Sequence, residues 1–226
     1  MSKDGRPEQG TASPELECNR VRSTCSSIIS KIVSSISESK RATNIVMSIT
    51  VVLGAHDMSK RETSWQLIQA EKMIPHPDFN SNSLLARKAK LKKKVKLVGI
   101  PEADDDVQHG DLCSVAGWGN TVTDGNGSNM LREVNVTIIY WDTCKKSWDA
   151  MIPEKTICAG GYKTTKGFCQ GDSGGPLICN NKAMGIVSFN SIRGCEYPNL
   201  PNVYTSVAAY RDWINSVLQQ HSHTPL

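Results

Sequence analysis

Apolar residues first gather into a regular pattern well inside the chain. Residues 23 to 40 are serine-rich, and Ile28, Ile29, Ile32, Val33 and Ile36 fall on one helical stripe, which predicts a short amphipathic helix. From Asn44 the period changes. Ile45 to Gly54 is β-branched and predicts a strand, and Gly54-Ala55-His56-Asp57 turns the chain. Gln66 to Ile74 predicts a second strand, stopped by Pro75-His76-Pro77. Between Leu84 and Val98, Leu91, Val95 and Leu97 are interleaved with lysines, the pattern of a half-exposed strand. Leu131–Ile139, Ile157–Gly160, Pro176–Cys179, Ala183–Phe189 and Asn202–Thr205 read as further strands. Tyr210 to Leu218 has helical spacing. Residues 1 to about 20 carry few apolar anchors and read as disordered.

Composition narrows the classes. A chain of 226 residues suits one large domain or two small ones. Its formal charge of +4 permits contact with acidic surfaces without requiring nucleic acid, and no nucleic-acid module is recognisable. The longest apolar run, Ile45 to Ala55, is too short to span a membrane. Eight cysteines, at 18, 25, 113, 144, 158, 169, 179 and 195, lack zinc-knuckle spacing, so no metal or other cofactor is expected. Their even number suggests disulfides and an oxidising compartment. The polar opening, Met1-Ser2-Lys3-Asp4-Gly5-Arg6, does not read as a signal peptide.

The chemistry is concentrated in Gly167-Phe168-Cys169-Gln170-Gly171-Asp172-Ser173-Gly174-Gly175-Pro176. Its glycines allow a sharp turn and close approach of backbone N–H groups to a bound carbonyl. The N–H groups of Gly171 and Ser173 would form an oxyanion hole beside the Ser173 hydroxyl. The plainer reading is a glycine-rich hairpin turn with an incidental serine. The decapeptide resembles the nucleophile loop of the chymotrypsin-like serine proteases. Val52 to Asp57 and Ile74-Pro75-His76-Pro77-Asp78-Phe79 resemble the first barrel of that family, with the granzyme and mast-cell protease subgroup nearest. Cys113-Ser114-Val115-Ala116-Gly117-Trp118-Gly119 resembles the opening strand of its second barrel. The resemblance runs from about Val51 to Leu218.

The resemblance implies an all-β fold, a chymotrypsin-like double β-barrel with a truncated first barrel, a complete second barrel and a C-terminal helix. Residues 1–44 would be a segment foreign to the family. Residues 45–105 would be the remnant of the first barrel, and 106–226 the second barrel with its helix. Spacing alone allows fifteen pairings of the last six cysteines. The resemblance implies Cys113–Cys179, Cys144–Cys158 and Cys169–Cys195, each contributing about 2–4 kcal/mol. It places Gly167 at the base of a side-chain pocket, Ser188, Phe189 and Asn190 along its wall, and Asn202 on its far side. Without an acid at Gly167, a preference for Lys or Arg is disfavoured. It also implies peptide or protein substrates and a secreted or granule location.

Ser173 needs a histidine to take its proton and a carboxylate to orient that histidine. The family's Thr-Ala-Ala-His-Cys segment is not in this sequence. His56, His76, His109, His221 and His223 each read as ordinary surface histidines. Leu84-Leu85 reads as a remnant of the family's aspartate segment, with Asn82-Ser83 where the acid is expected. The sequence also has no Ile-Val-Gly-Gly to supply an ammonium for Asp172. Asp172 is therefore expected to be exposed, protonated or paired otherwise, beside a poorly formed oxyanion hole.

The expected function is that of a serine endopeptidase homologue, impaired because the histidine and aspartate segments are missing. The alternative is a pseudoenzyme that binds protein partners or anionic glycans. For glycans the candidates are Lys92, Lys93 and Lys94, as the resemblance to granule proteases suggests. Asn126-Gly127-Ser128 and Asn135-Val136-Thr137 match the acceptor pattern for N-glycosylation, which matters only if the chain is exported.

Overall fold

The computed structural model describes residues 50–73, 84–86 and 89–222. The serine-rich helix, Ile45–Ile49, Cys18, Cys25, His76 and His223 lie outside the described residues. The architecture is two antiparallel sheets and a C-terminal helix. Strands β1 (Thr50–Leu53), β2 (Gln66–Met73) and β3 (Leu84–Ala86) form a three-stranded sheet in that order. Strands β4 (Leu112–Gly117), β5 (Arg132–Thr137), β6 (Thr156–Cys158), β7 (Pro176–Cys179), β8 (Lys182–Phe189) and β9 (Val203–Ser206) form a six-stranded sheet. Its order is β5-β4-β7-β8-β9-β6. The helix α1 (Trp141–Ser147) lies between β5 and β6, and α2 (Arg211–Ser222) ends the described chain.

Alternation along β4 and β5 explains the larger sheet. Val115 pairs with Val134 and Cys113 with Val136, so apolar side chains from both strands reach one face. That face is buried with Leu177, Met184, Val187 and Tyr204. The sheet curls until its outermost strands meet. Beyond β5, the Ile139 N–H donates to the Cys158 carbonyl at 2.9 Å, and the Gly160 N–H donates to Thr137 at 3.0 Å.

All three disulfides join the expected partners. Cys113–Cys179 links β4 to β7, Cys144–Cys158 links α1 to β6, and Cys169–Cys195 ties the turn before β7 to the loop after β8. The helix α1 was not expected from sequence. Asp142 in its first turn and Lys145 and Lys146 in its last are placed to favour the helix dipole.

The basic stretch departs from its expected form. Instead of a strand through 98, the chain reverses at Lys92–Val95, where each of these two N–H groups donates to the other's carbonyl, at 2.9 and 3.0 Å. Val95 is 1% exposed and joins Val51 and Leu53, whereas Leu91 and Leu97 are 58% and 73% exposed. A reversal so tight cannot keep the alternation of a strand, and only one of the three apolar residues turns inward.

Candidate active site

The turn 167–175 reaches Ser173 between the Cys169 bridge and β7. Gly171 has φ 92°, a conformation favouring glycine. The Asp172 N–H donates to the Cys169 carbonyl at 3.1 Å, and the Gly175 N–H to the Asp172 carbonyl at 2.8 Å. Two further bonds fix the turn to β8: Gly174 N–H to Val187 carbonyl at 2.9 Å, and Val187 N–H to Gly175 carbonyl at 2.8 Å. Ser173 is exposed at the summit.

Asp172 is paired otherwise than with an ammonium. Its carboxylate accepts the Gly119 N–H at 2.7 Å and the Cys169 N–H at 3.0 Å. Burial pushes its pKa up, against the pull of those two bonds. Glycines make the room. A Cβ at Gly117 would lie 2.0 Å from Asp172 Oδ1, and one at Gly119 2.6 Å from its carboxyl carbon. Beside the carboxylate is a cavity of about 270 Å³, lined by Gly117, Gly119, Arg132, Lys166 and Phe168 among others.

Asn120 holds the neighbouring peptide. Its N–H donates to the Gln170 carbonyl at 2.8 Å. No peptide here is cis, so the N–H of Gly171, across the same peptide unit, points away from Asn120. Neither the Gly171 nor the Ser173 N–H donates to a described residue. Asp172 was expected to lack an ammonium, beside a poorly formed oxyanion hole. The N–H groups of Gly119 and Cys169 occupy the carboxylate in its place. Asn120 and Gly119 were missed as positioning residues, although Gly117-Trp118-Gly119 marked the segment that carries them.

The pocket residues are only partly brought together. Asn202, 2% exposed, lays its amide nitrogen so close to Gly167 that a Cβ there would be 1.7 Å away. That nitrogen is buried and has no hydrogen-bond partner among the described residues. Asn190 donates from Nδ2 to the Phe168 carbonyl at 2.9 Å, bridging the end of β8 to the turn. Ser188 is exposed at the end of β8. Phe189 turns aside and packs edge-on against Trp148, with ring centres 5.2 Å apart.

No imidazole among the described residues hydrogen-bonds to Ser173. His56 engages through its backbone: its carbonyl accepts the Trp118 indole N–H at 3.1 Å and the Leu131 N–H at 2.8 Å. His109 stacks on Tyr140 with ring centres 3.8 Å apart. Of His221 only the backbone is described. The acids near His56 are engaged locally. Asp57 binds Ser59 and Lys60, and Glu62 binds the N–H groups of His56 and Asp57 together with Lys94. Lys92 and Lys93 are exposed at the reversal. Among the described residues, no group of three or more His, Cys, Asp or Glu is placed to hold a metal, and no helix is long and apolar enough to cross a membrane.

Comparison with known proteins agrees with this geometry. The trypsin family model matches residues 38–214. Mouse cathepsin G is 38% identical over 181 residues, covering 76% of this chain and 67% of the relative. Sheep mast cell protease 3 is 36% identical over 184 residues, covering 78% and 72%. Mouse granzyme E is 37% identical over 177 residues, covering 74% and 70%. With the Gly-Asp-Ser-Gly-Gly turn, the three disulfides and the strand order all in place, the chain belongs to the trypsin family of serine endopeptidases, on the side of its granzyme and mast-cell members.

Proposed function

We propose that Ser173 is the nucleophile of a peptide-hydrolysing site that is impaired in this chain for want of a base. The carrying observation is the unpartnered Ser173 hydroxyl, which no imidazole of the described residues meets. The free N–H groups of Gly171 and Ser173 serve as the oxyanion donors. Gly167, Ser188, Asn190 and Asn202 form the substrate pocket, partly closed by the Asn190 bond to Phe168, with Phe189 backing it from its place against Trp148. Such a pocket has no acid at its base and does not favour Lys or Arg. In proteases of this kind the loss of triad members costs roughly four to six orders of magnitude in turnover, and the oxyanion donors retain about 10³–10⁴ over water. The substrates of this scaffold are peptides or proteins. Residues 45–105 are the remnant of the first barrel and 106–226 the second barrel with its C-terminal helix, and the bridges fit a secreted or granule setting.

A fluorophosphonate probe tests this. The full chain should label no faster than its Ser173→Ala variant. Rapid stoichiometric labelling at Ser173 would reveal a working base and overturn the reading.

One observation favours a second role. The reversal at Lys92–Val95 sets Lys92 and Lys93 at an exposed apex, and neither pairs with a described acid, while Lys94 pairs with Glu62 at 3.3 Å. A cationic apex of this shape suits an anionic glycan. Heparin retention should fall when Lys92, Lys93 and Lys94 become alanine, and unchanged salt elution would remove the idea.

A further inference from the structure

We propose that Asn126 and Asn135 are both acceptors of N-linked oligosaccharide. Each begins an Asn-x-Ser/Thr triplet, and no other asparagine of the sequence does. The triplets alone are weak, but the fold adds three independent observations.

First, both side chains are exposed. Asn126 lies in the loop between β4 and β5, where the Gly125 N–H reaches the Val122 carbonyl at 3.1 Å and the Ser128 N–H the Trp118 carbonyl at 3.0 Å. Asn135 lies on β5 opposite Ser114. Strand periodicity sends Val134 and Val136 toward the core and Glu133, Asn135 and Thr137 outward, so the amide and the hydroxyl of the triplet share the solvent face. Second, neither carboxamide has a hydrogen-bond partner among the described residues, so a sugar on Nδ2 disturbs no bond. The Asn190 carboxamide, by contrast, is bonded to the Phe168 carbonyl. Third, the three disulfides place folding in an oxidising compartment, where the glycosyl donor is also found.

The donor is a lipid-pyrophosphate-linked oligosaccharide. The asparagine Nδ2 attacks the anomeric carbon, forming a C–N bond. The C–O bond to pyrophosphate breaks, lipid pyrophosphate leaves, and the amide proton passes to a base of the transferase. At Asn135 the sugar would stand beside the outer edge of β5, where Arg132–Asn135 pair with β4 on the other side only. Bulk at such an edge hinders pairing with a second sheet.

The test is expression of the full chain in mammalian cells behind a secretory leader, followed by peptide N-glycosidase digestion in ¹⁸O-water. Wild type should lose two mobility steps, with ¹⁸O-labelled aspartate at positions 126 and 135. Asn126→Gln and Asn135→Gln should each remove one step, and Thr137→Ala should remove the Asn135 step while leaving that asparagine in place. Transfer precedes completion of the fold, so the cellular pool is scored as well, and a poorly folding variant still reports. Wild type with one step or none overturns the two-site proposal.

Discussion

The six-stranded sheet buries twelve residues in one cluster, whereas the described part of the three-stranded sheet buries Val51, Leu53 and Val95 in its own. The larger sheet carries all three disulfides, and its outer strands meet; the smaller has β1 and β3 as edges. The parts of the site divide the same way. Ser173, its two N–H neighbours and the pocket residues stand on the larger sheet or on turns bolted to it. In this family the base and the acid come from the first barrel, and among the described residues of that side no imidazole hydrogen-bonds to Ser173. A nucleophile loop is thus held by local covalent and hydrogen-bonded constraints that do not depend on the rest of the triad.

The largest test of that contrast removes the bridges. Cys113 and Cys179 close a separation of 66 residues, so replacing both with alanine should cost about 4 kcal/mol on the chain-entropy model. Cys144 and Cys158 close 14, and their removal should cost about 3 kcal/mol. Urea unfolding of the oxidised variants measures both. Losses well under half of these would mean that packing alone holds the larger sheet, and the contrast with the smaller one would weaken.

The next effect lies in the turn itself. At Gly119 an added Cβ would meet the Asp172 carboxyl carbon at 2.6 Å and the Gln170 carbonyl at 2.7 Å. Gly119→Ala should therefore destabilise by about 1–3 kcal/mol, as overpacked sites do. Leu67→Ala, at a side chain 51% exposed on β2, should stay within about 0.5 kcal/mol. Thermal unfolding compares them. Equal losses would show that the turn relaxes freely and is not the constrained element described above.

Legibility followed the same division. Strands of the larger sheet were readable through the resemblance that runs on from Cys113, and Pro176–Cys179 was found to the residue. The basic stretch was misread because Leu91, Val95 and Leu97 mimic strand alternation, while the reversal at Lys92–Val95 depends on backbone bonds that no side-chain pattern announces. Helix α1 was hidden by its length, since seven residues hold too few apolar positions to display a period. At the site, Ser173 and its glycines were legible from a motif. The bond from Asn120 to Gln170 was not, because it joins segments far apart in sequence. Asp172 was expected to be exposed, protonated or paired otherwise; its partners are backbone N–H groups, which leave no trace in residue type.

A smaller effect probes a flaw in the larger sheet. Tyr204 is fully buried, and its hydroxyl has no hydrogen-bond partner among the described residues. Burial, then the charge of Asp172, pushes its ionisation far up, so it stays neutral. Tyr204→Phe should raise stability by about 1 kcal/mol, because an unpaired buried hydroxyl carries a desolvation cost. A clear loss on calorimetry would instead mean that the hydroxyl is satisfied in solution.

The smallest effect separates the two regions by the sign of a pH slope. Burial works to raise Glu62, but bonds from the His56 and Asp57 N–H groups, the Trp65 indole and Lys94 outweigh it and hold its pKa at about 2, below its ordinary 4.5. Its folded value is depressed, so its stabilisation is present above the ordinary value and is lost as pH falls toward about 2. Asp172 goes the other way. Burial raises it above its ordinary 3.8 despite two N–H bonds, so its contribution is complete below that value and is lost as pH rises through the shifted one. Urea midpoints followed from pH 2 to 7 should show Glu62→Gln flattening the acid limb and Asp172→Asn flattening the limb above pH 3.8. Slopes of the same sign would mean that water reaches Asp172 through the neighbouring cavity, cancels the effect of burial and leaves its acidity depressed below the ordinary value. In that event the two N–H bonds, and not burial, would govern the carboxylate beside Ser173.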